Sequence, residues 1–204
     1  MLRTNLAFLD LIERLYAESN ETKNITLKVF PARYRFINQG ENIRYIYIIK
    51  DGITKCFISE ENGKDFIIEF LGKGEVVGEL EAIKKINCLC NVEAISEVTA
   101  YVIPDFYFLK LIETNVEFTK ILLQELSTRI IQTSSRASFQ QLYTLEYGLI
   151  KLLKLQAEEN IAISKEDMAA YLGISVRSFN RTLQQLKAKN NVDENLRKLL
   201  EKLG

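Results

Sequence analysis

Residues 163–190, ISKEDMAAYLGISVRSFNRTLQQLKAKN, decide how the rest of the chain is read. The pattern predicts a helix, a tight turn and a second helix. Ser164 is placed to cap the first helix through its hydroxyl, and Glu166 and Asp167 suit the positive end of that helix's dipole. Ala169 lies four residues before Gly173, so a small side chain lets two helices approach while glycine takes the left-handed turn. Ser175 caps the second helix. Along it Val176, Phe179, Leu183 and Leu186 form one apolar stripe that is expected to bury, and Arg177, Ser178, Arg181, Gln184 and Gln185 populate the opposite face. Such polar side chains hydrogen-bond base edges and phosphates when a helix lies in the major groove; in an ordinary helical hairpin they are merely solvated. Caps, small-residue spacing and sidedness agree on the first reading, sequence-specific binding of double-stranded DNA. The candidate DNA-contacting residues are Val176, Arg177, Ser178, Asn180, Arg181 and Gln184.

Composition narrows the alternatives. A chain of 204 residues, 47% apolar and 26% charged, holds a sizeable core as one large or two small domains of a soluble globular kind. Its net charge of zero argues against a protein that coats nucleic acid, yet residues 163–191 carry five cations against two anions. No apolar run approaches the ~20 residues needed to span a bilayer, and no signal pattern opens the chain, so a cytoplasmic location without membrane contact is expected. Three cysteines (Cys56, Cys88 and Cys90) are too few for a disulfide scaffold and fit a reducing compartment. The spacing of Cys88 and Cys90 points both sulfurs to one face of a strand, as small buried hydrophobes or as a redox pair. Histidine is absent, which removes the commonest general base and metal ligand. No nucleophile–base pair, phosphate-cradling loop or metal cluster emerges. An enzyme is not expected, and no catalytic residue, metal or cofactor is assigned.

Working towards the N-terminus, residues 142–156 supply Leu145, Leu149, Leu152 and Leu153 as a packing face behind the two helices. Residues 115–136 form a long helix with Phe118, Leu122, Leu126, Ile130 and Thr133 near coiled-coil spacing, a seam that needs either the rest of this chain or a second subunit. Residues 105–113 make a short helix after Pro104. Before it, the period changes to that of short strands, over 25–30, 33–37, 44–49, 53–59, 65–71, 75–77, 89–95 and 98–103. Turn signals such as Asp51-Gly52 and Asn62-Gly63 separate them. Residues 5–19 begin the chain as an amphipathic helix. The fold class is α+β: an antiparallel β-roll or jelly roll over 1–112, a dimerisation helix over 113–137, and a helix-turn-helix domain over 138–204.

A β-roll, a seam helix and a helix-turn-helix in this order resemble the Crp/Fnr superfamily of bacterial transcription regulators over nearly the whole chain. Gly72-Lys73-Gly74-Glu75-Val76-Val77-Gly78-Glu79-Leu80 is similar to the start of its cyclic-nucleotide cassette. Ile130-Ile131-Gln132-Thr133-Ser134 is similar to the ligand-facing part of its dimer helix. Leu172-Gly173-Ile174-Ser175 with Arg181 is similar to its turn and recognition helix. The stretches Asp51-Gly52-Ile53-Thr54-Lys55, Glu61-Asn62-Gly63, Ile95-Ser96-Glu97 and Thr99-Ala100-Tyr101-Val102-Ile103 resemble one branch, the PrfA-like regulators.

The resemblance implies a homodimer on palindromic DNA, contact with RNA polymerase, and a small-molecule effector. It matches Glu79, after Gly78, to the glutamate that holds a nucleotide's ribose, the alternative being that the two simply close a turn. It matches Thr133 and Ser134 to residues that touch the base, the alternative being bonds to the preceding helical turn or to their twins across a dimer. Cys88 and Leu89 fall where an Arg-Ser pair holds the cyclic phosphate. A phosphate buried without guanidinium or hydroxyl partners is costly, so cyclic AMP is not expected to bind. Glutathione, the ligand of the PrfA-like branch, is one alternative effector; no effector at all is another. Cluster-based oxygen sensing needs thiolates near the N-terminus, and haem sensing generally uses histidine; both are missing here. Arg181 matches the arginine that reaches guanine, while Val176 and Arg177 replace a frequent Arg-Glu pair, so the operator differs from that of the catabolite activator type. Residues 191–204 read as an amphipathic helix where the family has a two-stranded wing, so the wing is lost or absent from the chain given. The leading function is a homodimeric transcription regulator. The second is a sensor or protein-interaction module whose helix-turn-helix no longer grips DNA.

Overall fold

The computed structural model describes residues 2–18, 24–158, 162–188 and 200. Residues 191–199 and 201–204, on which the wing question turns, lie outside these. The chain begins with β1 (Leu2–Arg3) and α1 (Leu6–Glu18), then β2 (Thr26–Phe30), β3 (Arg35–Ile37), β4 (Tyr45–Asp51), β5 (Thr54–Ser59), β6 (Asp65–Leu71) and β7 (Val76–Val77). A short helix α2 (Glu79–Lys84) precedes β8 (Asn91–Ala94) and β9 (Val98–Pro104). The helices α3 (Asp105–Thr114), α4 (Val116–Leu142), α5 (Leu145–Glu158), α6 (Lys165–Leu172) and α7 (Val176–Lys187) complete it.

All eight expected strands form, with ends moved by no more than two residues. They build two sheets, ordered β1-β6-β5-β8-β3 and β2-β9-β4-β7. Every pairing is antiparallel except β1 with β6, where Leu2 and Arg3 run beside Phe70 and Leu71. Two residues are too short to show a period, which is why β1 escapes a reading of the sequence. Helix α2 escapes for the same reason; Gly78 at its start has φ 91°, and a Cβ there would press on the Ile43 side chain.

Three apolar clusters divide the interior. Ile37, Ile49, Leu71, Val92 and Ala100 fill the space between the sheets. Phe8 and Ile12 of α1, Phe108 of α3, and Phe118 and Leu122 of α4 cover the β4–β9 sheet. The third cluster joins Phe57, Ile67 and Phe70 of the other sheet to Leu149, Leu152, Met168, Phe179 and Leu183 of the C-terminal helices. The helical domain therefore shares a core with the roll.

Helix α4 decides between two alternatives for part of its seam. Phe118 and Leu122 are buried and Leu126 is partly buried, all against the chain's own roll, so this part of the expected seam is internal. The apolar residues left exposed on α4 include Val116 (84%), Leu123 (58%) and Ile130 (69%), with Ile131 beside them. The helix also continues six residues past the expected end at Arg136. Arg136 and Gln140 anchor that extension by donating to the Tyr171 carbonyl at 2.6 and 3.3 Å.

Candidate nucleic-acid interface and sensor site

The two C-terminal helices are closed by the residues the sequence singles out. Ser164 Oγ accepts from the Asp167 amide at 3.0 Å, and Ser175 Oγ accepts from the Ser178 amide at 3.2 Å. Gly173 ends α6 with φ 69°, and its amide donates to Ala170, while that of Ile174 donates to Ala169. Ala169 is buried at the point where the helices meet.

Helix α7 is sided. Phe179, Thr182, Leu183 and Leu186 are buried. Arg177, Arg181, Gln184 and Gln185 are exposed, and Ser178 and Asn180 are half-buried. Val176 corrects the stripe expected to bury: it is 37% exposed, because the first turn of α7 projects beyond the core that takes Phe179. This places Val176 beside the arginines instead of beneath them. Ser178 has part of its hydrogen-bonding capacity taken by the Ser175 hydroxyl at 3.1 Å. The exposed row carries two guanidiniums and two amides on one side of a helix, the donor set that reads base edges and phosphates.

At the other end of the molecule, Glu79 does not stand open to a ligand. It is buried, as are Glu75 and Glu125, and all three converge on Arg129 of α4. The guanidinium donates to Glu79 Oε1 at 2.5 Å, Glu75 Oε2 at 2.8 Å, the Val76 carbonyl at 2.7 Å and Glu125 Oε1 at 2.9 Å. Asn5 donates to the second oxygen of Glu125 at 2.7 Å. Burial pushes the Glu75 carboxyl up to about 7 against the opposing pull of Arg129, with the Glu125 charge adding to the rise. Glu79 is raised by burial in the same way, and the carboxylates hold the Arg129 proton more firmly than usual despite desolvation.

The remaining effector candidates are spread out. Thr133 Oγ1 accepts from Arg3 at 3.2 Å, and Ser134 is exposed on α4. Cys88 is buried, whereas the Leu89 side chain is exposed and its amide donates to the buried Glu81 carboxylate at 3.0 Å. The structure thus joins Glu79 to Arg129, with Gly78 only at the start of the same helix, and gives Thr133 a different partner. Cys88 lines a separate cleft of about 450 Å³ with Tyr45 and Tyr47. Arg129, Glu75 and Glu125 were not singled out in the sequence, where the only hint is an i, i+4 acid–base pair on α4.

The roll and helices form a sensor-like domain joined to a helix-turn-helix. Residues 27–115 match the cyclic nucleotide-binding domain model and residues 142–201 match the Crp-like helix-turn-helix domain. The chain belongs to the Crp/Fnr family of transcription regulators. It is 23% identical over 180 residues to the cAMP-activated global transcriptional regulator CRP of Salmonella typhimurium, covering 79% of this chain and 82% of that protein. It is 27% identical over 188 residues to the lactate racemization regulatory protein of Lactiplantibacillus plantarum, covering 84% and 83%. Among solved structures, the fold is shared with a putative Crp/Fnr-family regulator from Eubacterium rectale (TM-score 0.75, 14% identity, 92% and 97% covered). The c-di-GMP responsive regulator CLP of Xanthomonas campestris also shares it (TM-score 0.74, 19% identity, 88% and 91% covered). These matches identify a regulator with a DNA-binding domain, not an enzyme. Among the described residues, no helix is long and apolar enough to cross a membrane.

Proposed function

We propose that the chain acts as a homodimer that reads a palindromic DNA site through α7 and responds to a small molecule other than cyclic AMP. The exposed row of Arg177, Arg181 and Gln184 above a buried apolar face is the observation that carries the DNA assignment. Val176, Ser178 and Asn180 flank it. A bidentate arginine–guanine contact is worth about 1–3 kcal/mol of base discrimination, and Arg181 is assigned that role.

Dimerisation is assigned to α4. Val116, Leu123, Ile130 and Ala137 recur every seven residues, all exposed, which suits a two-stranded seam with a second copy of the same helix. Two copies so joined present two α7 helices related by a two-fold axis, as a palindrome requires. RNA polymerase is the expected downstream partner.

The effector assignment rests on chemistry. Relatives include a cAMP-activated regulator, but here Cys88 and Leu89 occupy the positions matched to phosphate ligands, and Glu79 is already engaged by Arg129. Neither side chain compensates a buried phosphate charge. Glutathione is a candidate in its place.

Selection of bound duplexes from a random library at fixed near-physiological salt tests the reading. A palindrome with half-sites about one helical turn apart is expected, and Arg181→Ala should relax one base pair in each half-site. Weak, salt-sensitive binding without enrichment would favour the interaction-module alternative.

A further inference from the structure

The chain has three cysteines, and two of them meet. Cys56 lies on β5 and Cys90 just before β8, 34 residues apart in sequence, with their sulfurs 2.8 Å from each other. The register explains the meeting. Cys56 faces Val92 across the β5–β8 ladder, so Cys90, two residues earlier, is its diagonal neighbour on the same face of the sheet. A bulge between Cys56 and Phe57 on the β6 side breaks the ladder beside that thiol. Both sulfurs pack against the cluster between the sheets, yet both residues remain half-buried instead of sealed. Cys88 is fully buried nearby and has no comparable sulfur contact among the described residues.

We propose that Cys56 and Cys90 form an oxidation site, a dithiol that reacts with hydroperoxides to give an intrachain disulfide. Among the described residues no group of three or more histidine, cysteine, aspartate or glutamate side chains is arranged to hold a metal, so the pair is assigned to thiol chemistry and not to coordination. Either thiol can donate in this contact; with Cys56 taken as the donor, the attacking sulfur is that of Cys90. Its thiolate attacks the distal oxygen of the hydroperoxide; an S–O bond forms, the O–O bond breaks, and the leaving alkoxide takes a proton to become an alcohol. Cys56 then loses its proton and attacks the Cys90 sulfur; an S–S bond forms, the S–O bond breaks, and the leaving hydroxide takes that proton as water. Two thiols are oxidised by two electrons in all, and the peroxide is reduced to alcohol and water. Hydrogen bonding to Cys90 and burial push the Cys56 thiol well above its usual range, with the Glu79 and Glu81 charges adding to the rise. This matches a resolving thiol that keeps its proton until a partner sulfur is activated.

The inference does not depend on the DNA assignment, and its test involves no DNA. The reduced full-length chain is treated with about one equivalent of hydrogen peroxide, quenched with an alkylating agent and mapped by mass spectrometry. The expected result is loss of two alkylation sites, a single Cys56–Cys90 peptide cross-link reversed by dithiothreitol, and Cys88 still alkylated. Cys88→Ala should form the same link at about the wild-type rate. Cys56→Ser should stop at a sulfenic acid on Cys90 that dimedone traps. Three intact thiols after the peroxide is consumed would overturn the proposal, as would a link through Cys88 or a link between two chains. These results in the wild-type chain decide the matter even if a serine variant folds poorly.

Discussion

Replacing Arg129 with glutamine offers the sharpest test of the buried acid cage. The substitution removes the one guanidinium that bonds Glu75, Glu79 and Glu125, whose side chains are 1, 2 and 7% exposed. Breaking a buried ion pair from one side typically costs about 3–5 kcal/mol, because the remaining charge stays desolvated. The cost depends on pH, and the structure fixes its sign. In the wild type, burial raises the Glu75 carboxyl to about 7, above its value of 4.5 in the unfolded chain. A raised carboxyl binds its proton more tightly when folded. Its stabilising contribution is therefore full below pH 4.5 and is lost as pH climbs through about 7. In Arg129→Gln the opposing pull of the guanidinium disappears, so the carboxyls hold their protons to higher pH and the loss extends upward. Urea unfolding at pH 5.5 and pH 8 should give a deficit that grows by roughly 1–3 kcal/mol from the lower to the higher pH, about one to two units of carboxyl shift. A deficit equal at both values would refute the reasoning, since the carboxylates would then not be feeling Arg129.

Three further outcomes are expected. Lys55→Met removes the cation that bonds Asp167 of α6 at 2.7 Å and Glu93 of β8 at 3.1 Å; the loss of charge-assisted hydrogen bonds, about 1.5–3 kcal/mol, should appear as faster amide exchange in α6 with the strands unchanged. If α4 forms the proposed dimer seam, the pair Leu123→Glu and Ile130→Glu should give a folded monomer by sedimentation where the wild type sediments as a dimer, with far-ultraviolet dichroism retained, because both side chains are exposed on α4. Millimolar cyclic AMP should leave the melting temperature unmoved, and a clear rise would show that Cys88 and Leu89 do not preclude a phosphate.

The strands were legible because each carries its own signal: short runs of strand-forming side chains set off by turn residues, among them Asp51-Gly52 and Asn62-Gly63. The caps of α6 and α7 were legible for the same reason, since Ser164 and Ser175 bond amides only three residues away. What stayed hidden is non-local. Helix α4 has apolar residues at two helical spacings, and periodicity alone does not say which set meets the roll; the structure buries Phe118 and Leu122 and exposes Leu123 and Ile130. Arg129 looks like one member of a surface pair with Glu125 until Glu75, just before β7, and Glu79, at the start of α2, arrive from about fifty residues earlier. The Cys56–Cys90 contact likewise depends on the β5–β8 register, which is set by the closing of the roll.

Two arginines on α4 tie that helix to both ends of the molecule. Arg129 is held in the acid cage; Arg136, seven residues on, donates to the Ile67 carbonyl of β6 at 2.8 Å and the Tyr171 carbonyl of α6 at 2.6 Å. Its guanidinium also lies over the Tyr171 ring, 3.8 Å from the centroid. Seven residues are two turns, about 10 Å of rise, so both side chains leave the same side of one rigid rod. If freeing Arg129 lets the rod turn or slide, Arg136 cannot hold both carbonyls while it does so. Coupling of this kind requires a demonstrated change at the far end. Arg129→Gln should therefore speed amide exchange in α6, 36 to 43 residues beyond the substitution, whereas Lys55→Met should leave the exchange of α2 and the first half of α4 as it is. Faster exchange in α6 only on loss of Lys55 would confine the cage to stabilising the roll and leave the docking of the helix-turn-helix to its contacts with the sheet.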